Sequence, residues 1–221
     1  MMKVATEGRD PMAKARQDSE DTRRRLLDAA DVVLRERGYA GTSARTIASE
    51  AGVNSALVFY HFGGVDPLLL AMLDRSSEER MAMHRRTVAD VRTVEDLVAA
   101  ARQIYRADLE RGYLAQFSEI VGAALTRPEL RAAIVERANP WVAFVEECWE
   151  QVTAGSPLGR LLPAREVAHA AITFYLGVNL FSVIDPDQSR TESVFALAGR
   201  IAPRAKLLTM RLPRRTPRAG R

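Results

Sequence analysis

The spacing of apolar residues constrains the fold of this chain more than any other feature. Leu26, Ala30 and Val33 recur at helical intervals and form one apolar stripe. Similar spacing returns in nearly every later segment, and no segment alternates apolar and polar residues as a half-buried strand would. The sequence therefore predicts an all-α protein.

Helix-breaking and helix-capping residues locate the predicted helices. The first begins near residue 21 and stops at Gly38, and the second is capped by Thr42 or Ser43 and ends at Gly52. Asn54 caps a third short helix that ends near residue 61, and a long fourth helix starts near residue 66. Later helices are predicted over residues 93–110, 112–126, 129–154 with a kink or break at Pro140, 164–183 and 189–202, with a loop over 155–163.

Composition narrows the class of protein. The single cysteine, Cys148, excludes an intrachain disulfide and indicates an intracellular protein. Residues 1–20 lack the apolar core of a secretory signal and are predicted to be a disordered arm. Polar residues interrupt the longest apolar stretch, 167–184, so we interpret it as a buried helix and not a membrane span. The net charge of +4 comes from residues 204–221, a predicted basic tail with seven basic and no acidic residues.

The second and third predicted helices have the spacing of a helix-turn-helix. Gly52 can adopt the positive φ that lets one helix cross the other steeply, and Val53 fills the junction. The small side chains of Asn54, Ser55 and Ala56 would then open the third helix and allow close approach to base edges. This segment therefore predicts contact with DNA.

Residues 22–73 carry a longer set of motifs. They read Leu-Leu-Asp-Ala-Ala in the first helix, then Arg-Gly-Tyr, Thr-Ser-x-x-x-Ile-Ala, Ala-Gly-Val-Asn and finally Tyr-His-Phe-Gly. This segment resembles the DNA-binding domain of the TetR family of bacterial repressors. The resemblance implies an N-terminal three-helix bundle with a helix-turn-helix over residues 21–66, and a larger C-terminal helical ligand-binding and dimerisation domain over residues 67–203.

The same resemblance implies DNA-binding residues. It assigns Thr42 and Ser43 to phosphate and Arg45 to a base, and capping of the helices is the plainer alternative for Thr42 and Asn54. Phe59 stands where the family usually has Tyr, and Val65 where it usually has Lys, so two phosphate contacts are expected to be missing. The full set of expected DNA contacts is Thr42, Ser43, Arg45, Asn54, Ser55, Ala56, Phe59, Tyr60 and His61.

Basic residues near the start of the first helix offer a replacement for the missing phosphate contacts. Our hypothesis is that Arg23, Arg24 and Arg25, or Lys14 and Arg16 of the arm, neutralise DNA phosphates. Each phosphate contact that is lost should flatten the slope of log affinity against log salt by about 0.9.

In the larger domain, the resemblance implies that helices 164–183 and 189–202 pair with a second copy. An apolar face with small residues supports this, although a helix buried within one monomer would look the same. That face comprises Ala168, Ala171, Ile172, Tyr175, Leu176 and Leu180. A small effector is expected in an apolar pocket, with plain core as the stronger alternative for each candidate. These candidates are Tyr105, Phe117, Trp141, Phe144, Trp149 and Phe174.

Other chemistry-bearing residues suggest no further site. Cys148 is interpreted as an inert buried thiol because no basic residue adjoins it. His84 and His169 are too far apart in sequence for a metal site, and a solvated face and a packed helix are their default interpretations. We expect neither a metal nor a cofactor.

These expectations describe a cytoplasmic transcriptional repressor. As the resemblance implies, it would bind a palindromic double-stranded DNA operator as a homodimer and leave it when a small apolar or aromatic effector binds. Activation in place of repression stays open. An enzyme is disfavoured because the sequence contains no GxGxxG, GxSxG, HExxH or Walker A pattern. A DNA-binding scaffold that senses nothing remains a rival, because a pocket without function would keep its aromatic residues as core.

Overall fold

The computed structural model describes residues 11–184, 187 and 189–209. Within these residues all regular structure is helical, which confirms the predicted all-α fold. The described chain divides into two compact units, one ending at Ser76 and the other beginning at Ser77. Its helices, in order, are α1 Pro11–Arg37, α2 Ala44–Ala51, α3 Ala56–Phe62, α4 Val65–Val88, α5 Val94–Glu110, α6 Tyr113–Ala124, α7 Pro128–Thr153, α8 Pro157–Leu161, α9 Ala164–Ile184 and α10 Ser189–Thr209.

The first helix starts ten residues earlier than the sequence predicts. The prediction of a disordered arm over residues 1–20 is wrong for residues 11–20, which form the first turns of α1. Pro11 suits the first position of a helix because the N–H that it lacks would have no partner there. The residues that follow are mostly good helix formers, and Thr22 Oγ1 donates to the Asp18 carbonyl at 2.8 Å. Residues 1–10 lie outside the described residues.

Apolar side chains from α1 to α4 form the core of the first unit. Leu26 of α1, Ile47 of α2, Val58 of α3 and Leu68 of α4 are fully buried. Burial of one such side chain contributes roughly 1.5–3 kcal/mol. A helix cap contributes about 1 kcal/mol, so packing dominates the stability of the short helices α2 and α3.

The second unit contains the last turns of α4 together with α5 to α10. Helix α9 packs against α6 and α7, while α10 packs against α5 and α8. One buried cluster surrounds Phe144, Cys148 and Trp149, and a smaller one surrounds Tyr105 and Val178. The candidate ligand site therefore belongs to a unit with its own core.

Three predicted features of the second unit need correction. Helix α8 lies in the predicted loop 155–163, where Ser156 Oγ accepts from the Gly159 N–H at 3.2 Å and Pro157 begins the helix. Helix α7 is one element, so Pro140 does not split it. Helix α10 continues through Pro203 to Thr209 because good helix formers follow the proline. The predicted basic tail is therefore helical over 204–209, and residues 210–221 lie outside the described residues.

In the part of the chain that the structure describes, no single helix is both long enough and apolar enough for a span. Ala56–Phe62 and Val65–Val88 meet the criteria only when joined, and they are bent by 59° at the break between them.

Candidate nucleic-acid interface and ligand site

The start and the end of α2 are both fixed by local hydrogen bonds. Ser43 Oγ accepts from the Thr46 N–H at 3.1 Å, and Thr46 Oγ1 accepts from the Ser43 N–H at 2.8 Å, which makes a capping box. At the other end Gly52 adopts φ 63° and ψ 40°, and the Val53 N–H donates to the Ala48 carbonyl at 2.9 Å. Glycine takes this left-handed conformation without strain, so the chain can turn directly into α3.

A side chain of α1 braces the same turn. Arg25 Nη2 donates to the Ala51 carbonyl at 2.5 Å and lies 3.4 Å from the Gly52 carbonyl. These oxygens lie at the C-terminal end of α2, where carbonyls lack helical partners and carry partial negative charge. Arg25 therefore has a structural partner, which the sequence hypothesis of phosphate neutralisation did not foresee.

The neighbouring arginines of α1 also have partners within the chain. Arg24 pairs with Asp21 at 2.7 Å on the exposed surface, and the Arg23 guanidinium lies over the Phe62 ring at 5.0 Å from its centroid. Surface contacts of this kind contribute about 1 kcal/mol or less, so both arginines can still exchange these partners for a phosphate.

Helix α3 begins one residue later than expected. Ser55, not Asn54, is the N-cap, because the first turn is tightened by a bond from the Leu57 N–H to the Asn54 carbonyl at 3.0 Å. Asn54 still caps locally, since its Oδ1 accepts from the Ala56 N–H at 2.8 Å. Asn54, Ser55 and Ala56 are all exposed at this end of the helix.

Large aromatic side chains project from α3 into solvent. Phe59 is 58% exposed and Tyr60 79%, while Val58 between the helices is fully buried. His61 is half-buried, with its ring centroid 5.0 Å from that of Tyr60. Two large aromatic side chains are therefore exposed on this one short helix.

The predicted contacts of α2 have different surroundings. Arg45 and Ser43 are exposed, but Thr42 is half-buried and its hydroxyl donates to the Gly38 carbonyl at 2.8 Å. Capping of α2, the plainer alternative for Thr42, is wrong for this residue, because Ser43 is the N-cap. DNA contact by all nine candidates stays a prediction.

The six aromatic candidates for the ligand site do not form one group. Trp141 and Phe144 meet on α7 with centroids 6.4 Å apart, and Trp149 belongs to the same apolar cluster. Tyr105 and Phe174 instead share contact with Phe195, at 5.5 and 5.9 Å. Phe117 is half-buried on α6. Trp149 Nε1 donates to the Leu162 carbonyl at 2.9 Å, which fits a structural role.

A buried polar group that sequence reasoning missed lies in this unit. Asp108 of α5 is fully buried and its Oδ2 accepts from Arg80 Nη2 at 2.6 Å and from the Tyr175 hydroxyl at 2.5 Å. Arg80 Nη2 also donates to the Tyr175 oxygen at 2.7 Å. Helices α4, α5 and α9 thus meet through one triangle of charged and hydroxyl groups.

Aromatic rings enclose the cation of this triangle. The Arg80 guanidinium carbon lies 5.1 Å from the Tyr113 ring centroid and 4.9 Å from that of Trp141. Trp141 is oriented by its Nε1, which donates to Ser77 Oγ at 2.9 Å. We name Asp108, Tyr175, Tyr113 and Trp141 the Arg80 cage.

His84 borders the Arg80 cage, and its predicted solvated face is wrong. It lies one turn after Arg80 on α4 and so shares the inward side of that helix; its side chain is almost wholly buried. Its Nε2 is 3.3 Å from Asp108 Oδ1 and has no well-formed hydrogen bond with the described residues. His169, by contrast, is exposed on α9, with Nδ1 2.8 Å from the Arg165 carbonyl.

The Arg80 cage holds its ionisable groups in their charged forms. Burial opposes the charge of Asp108, but His84 beside it, together with the charge and the hydrogen bonds of Arg80, lowers the pKa of Asp108 below its ordinary value. Burial likewise opposes the charge of Arg80, whereas Tyr175 and Asp108 raise its pKa. Cys148 lies outside the cage, and burial together with Glu147 raises the pKa of its thiol, which agrees with an unreactive cysteine.

A helical pattern could have pointed to the Arg80 cage. On α5 the apolar stripe Leu97, Ala100 and Ile104 continues at Asp108, where an acidic residue takes a core position. A lone carboxylate on an apolar stripe requires a buried cationic partner. The sequence does not say which helix supplies it.

The arrangement of α2, α3 and their turn, followed by a larger helical unit, is that of helix-turn-helix DNA-binding regulators. The family model described as bacterial regulatory proteins, tetR family, matches residues 26–72. Residues 26–72 therefore carry the helix-turn-helix region that this family model describes, and the chain is similar there to TetR-family regulators.

Comparison with known proteins gives relatives that match part of the chain in sequence. The HTH-type transcriptional repressor Rv3405c of Mycobacterium tuberculosis is 42% identical over 67 residues, which are 30% of this chain and 36% of that protein. The chain thus matches about a third of the length of such curated relatives.

Solved structures extend the similarity of fold to most of the chain. A TetR-family transcriptional regulator from Rhodococcus sp. is similar with a TM-score of 0.68 and 19% identity, over 82% of this chain and 98% of that one. A transcriptional regulator from Saccharomonospora viridis in complex with choline gives a TM-score of 0.64 and 16% identity, over 82% and 95%. At these identities the comparison concerns the fold alone.

Proposed function

We propose that this protein is a cytoplasmic repressor that binds a palindromic DNA operator as a homodimer and releases it when a small molecule binds the second unit. The observation that carries the proposal is the exposed surface of α3, where small residues at the first turn adjoin the projecting rings of Phe59 and Tyr60. Small residues allow approach to base edges, and the rings are placed to pack against the sugar-phosphate backbone.

The homodimer is proposed on the exposed apolar side of α9 and α10. Of the predicted face, Ala168 is buried and Tyr175 bonds within the monomer, whereas Leu176 and Leu180 are exposed. Apolar side chains that continue this exposed side are Phe174, Phe181 and Ile184 of α9 and Val194, Leu197 and Ile201 of α10. Apolar residues exposed in this number on two helices favour an interface with a second copy. Two copies related by a two-fold axis would present their α3 helices one DNA turn apart, about 34–36 Å, or a multiple of it.

Ligand response is proposed as a shift between two conformations. An effector that binds better to the conformation with wrongly spaced α3 helices lowers affinity for the operator, and about 100-fold release requires roughly 2.7 kcal/mol of differential affinity. Helix α4 begins in the first unit and ends in the second, so it is the proposed link. The choline complex of a protein with this fold supports a small-molecule site.

The experiment is selection of bound sequences from a random pool of DNA duplexes by the full chain. We expect a palindrome whose half-sites are about one DNA turn apart, and the variant Phe59→Ala/Tyr60→Ala should lose the enrichment while keeping its helical circular dichroism. No enriched sequence at moderate salt, with or without cell extract as a source of effector, would refute the proposal.

A second variant tests the dimer. Leu180→Glu/Phe181→Glu should sediment as a monomer and lose operator affinity, because it buries two charges at the proposed interface. Leu125→Glu is the matched control, since Leu125 is 74% exposed at the end of α6 and lies off the proposed interface. If the double variant stays dimeric, the interface lies elsewhere.

A further inference from the structure

The Arg80 cage has the composition of a binding site for a cation. It combines one fully buried carboxylate, Asp108, with a hydroxyl and two aromatic faces. Aromatic faces attract cations through their negative π-surface, and the attraction strengthens where water is excluded. The cation that now fills the cage is the guanidinium of the chain itself, at Arg80.

A contribution to folding stability does not by itself explain why Arg80 and Asp108 are paired in the interior. A buried ion pair is often no more stabilising than apolar residues of equal volume, since both charges must leave water. Arg80 is also not fully buried, since its side chain is 12% exposed, whereas the side chain of Asp108 is wholly buried. The guanidinium can therefore move outward on its flexible stem, whereas the carboxylate cannot.

Charge balance determines which ligand could replace Arg80. A cation that enters as Arg80 leaves keeps one positive charge against the Asp108 carboxylate. An anion would place two negative charges together in a buried space, and a neutral molecule would leave Asp108 unpaired, which is costly in the interior.

We propose that the Arg80 cage is the recognition point for a small organic cation, and that Arg80 occupies it as an internal substitute until the effector arrives. This inference rests on the proposed function, since it names the chemical class of the effector. Arg80 lies on α4, the proposed link, so its displacement alters that helix's contacts with α5 and α9.

The test removes the Arg80 side chain and measures whether a free cation binds in its place. In Arg80→Ala, methylguanidinium at millimolar concentration should raise the melting temperature, while N-methylurea, a neutral molecule of the same planar shape, should not. We expect the cation to bind at least about tenfold more tightly than the urea. Fluorescence of Trp141 in a Trp149→Phe background should change with the same titration curve. If Arg80→Ala is unfolded alone, recovery of helical circular dichroism with methylguanidinium, compared with N-methylurea, measures the same binding.

Two variants control for unspecific effects. Arg85→Ala removes an exposed arginine of α4 that pairs with Glu147 at 2.9 Å and lies over the Phe144 ring, and it should show no rescue. Arg80→Ala/Asp108→Asn removes both charges of the cage and should lose the preference for the cation. Equal effects of methylguanidinium and N-methylurea, or rescue that survives Asp108→Asn, would overturn the cation site.

The proposed effector role is tested separately, by measuring affinity for DNA. If displacement of Arg80 is the switch, Arg80→Ala should itself bind the operator selected by the wild type more weakly than the wild type does, and Arg85→Ala should not. Selective rescue of stability without any change in DNA affinity would keep the cation site and overturn its role as the effector site. Failure of the protein to select any DNA would instead refute the proposed function, and the melting experiment would still decide the chemistry of the cage.

Discussion

Arg25 provides the sharpest test of how the helix-turn-helix is held. Its guanidinium donates to the Ala51 carbonyl and lies close to that of Gly52, so we expect Arg25→Ala to loosen the turn between α2 and α3. A hydrogen bond from a charged group contributes about 1.5–3 kcal/mol. Because Arg25 is exposed to water, we expect a loss near or below the lower end, about 1–2 kcal/mol in the first unit.

Amide hydrogen exchange is the appropriate assay for this loss. A chain with two compact units need not unfold in a single two-state transition, so one melting curve does not give the free energy of unfolding of the first unit. Amide hydrogen exchange instead reports the local opening of each residue. The Val53 N–H, which donates to the Ala48 carbonyl, should exchange about five- to thirtyfold faster in Arg25→Ala, since 1.4 kcal/mol corresponds to a factor of ten. Arg24→Ala is the matched control, because the exposed pair of Arg24 with Asp21 contributes about 1 kcal/mol or less.

The salt dependence of DNA affinity distinguishes a structural role of Arg25 at the turn from a direct contact with phosphate. If Arg25 acts on the turn, Arg25→Ala should lower DNA affinity by a similar factor at every salt concentration, and the slope of log affinity against log salt should not change. A direct phosphate contact would flatten that slope by about 0.9. A flattened slope together with unchanged exchange at Val53 would refute the bracing role and restore the hypothesis made from sequence.

Four further predictions concern other residues. Gly52→Ala should destabilise the first unit by about 1–2 kcal/mol, because its φ of 63° disfavours a side chain and the new Cβ would lie 3.2 Å from Arg25 Nη2. Gly122→Ala, in α6 with open space around it, should instead raise the melting temperature. Ser43→Ala should cost about 1 kcal/mol in thermal unfolding through loss of the capping box. Because the folded pKa of Asp108 is lowered, its stabilising contribution is present above the unfolded value of about 3.9 and fades as the pH falls below it. The difference in melting temperature between wild type and Asp108→Asn should therefore shrink in acid, and a constant difference would contradict this.

The first unit could be predicted well because its signals are local. Gly52 at the turn and Ser43 at the cap act within a few residues of themselves, and their residue types nearly determine the backbone. The start of α1 was missed because helix formers before residue 21 carry no apolar stripe to reveal them. The brace by Arg25 was missed because it joins residues 26 positions apart, which no local pattern encodes.

The second unit resisted prediction for the opposite reason. Its aromatic residues have the same spacing whether they line a pocket or fill a core, and the structure divides them between two clusters. The Arg80 cage depends on helices α4, α5, α6, α7 and α9 meeting at one point, with 95 positions between Arg80 and Tyr175. Helical periodicity gives the inward side of each helix, but it does not give which helices are neighbours.

The two units differ in how well they could be predicted because their proposed partners, DNA and a small molecule, differ in shape. A DNA helix has a fixed groove and a fixed phosphate spacing, so a unit that binds it can be built from one short motif. A sensor faces ligands of many shapes and needs only a bistable set of contacts that a ligand can bias. In the proposed cation site, a buried charge pair with one movable partner is such a set, because departure of Arg80 leaves Asp108 unpaired unless another cation takes its place. The selectivity of the proposed switch then depends on charge balance and not on the shape of a preformed cavity. No local sequence motif encodes it, because Arg80 and Asp108 lie on different helices.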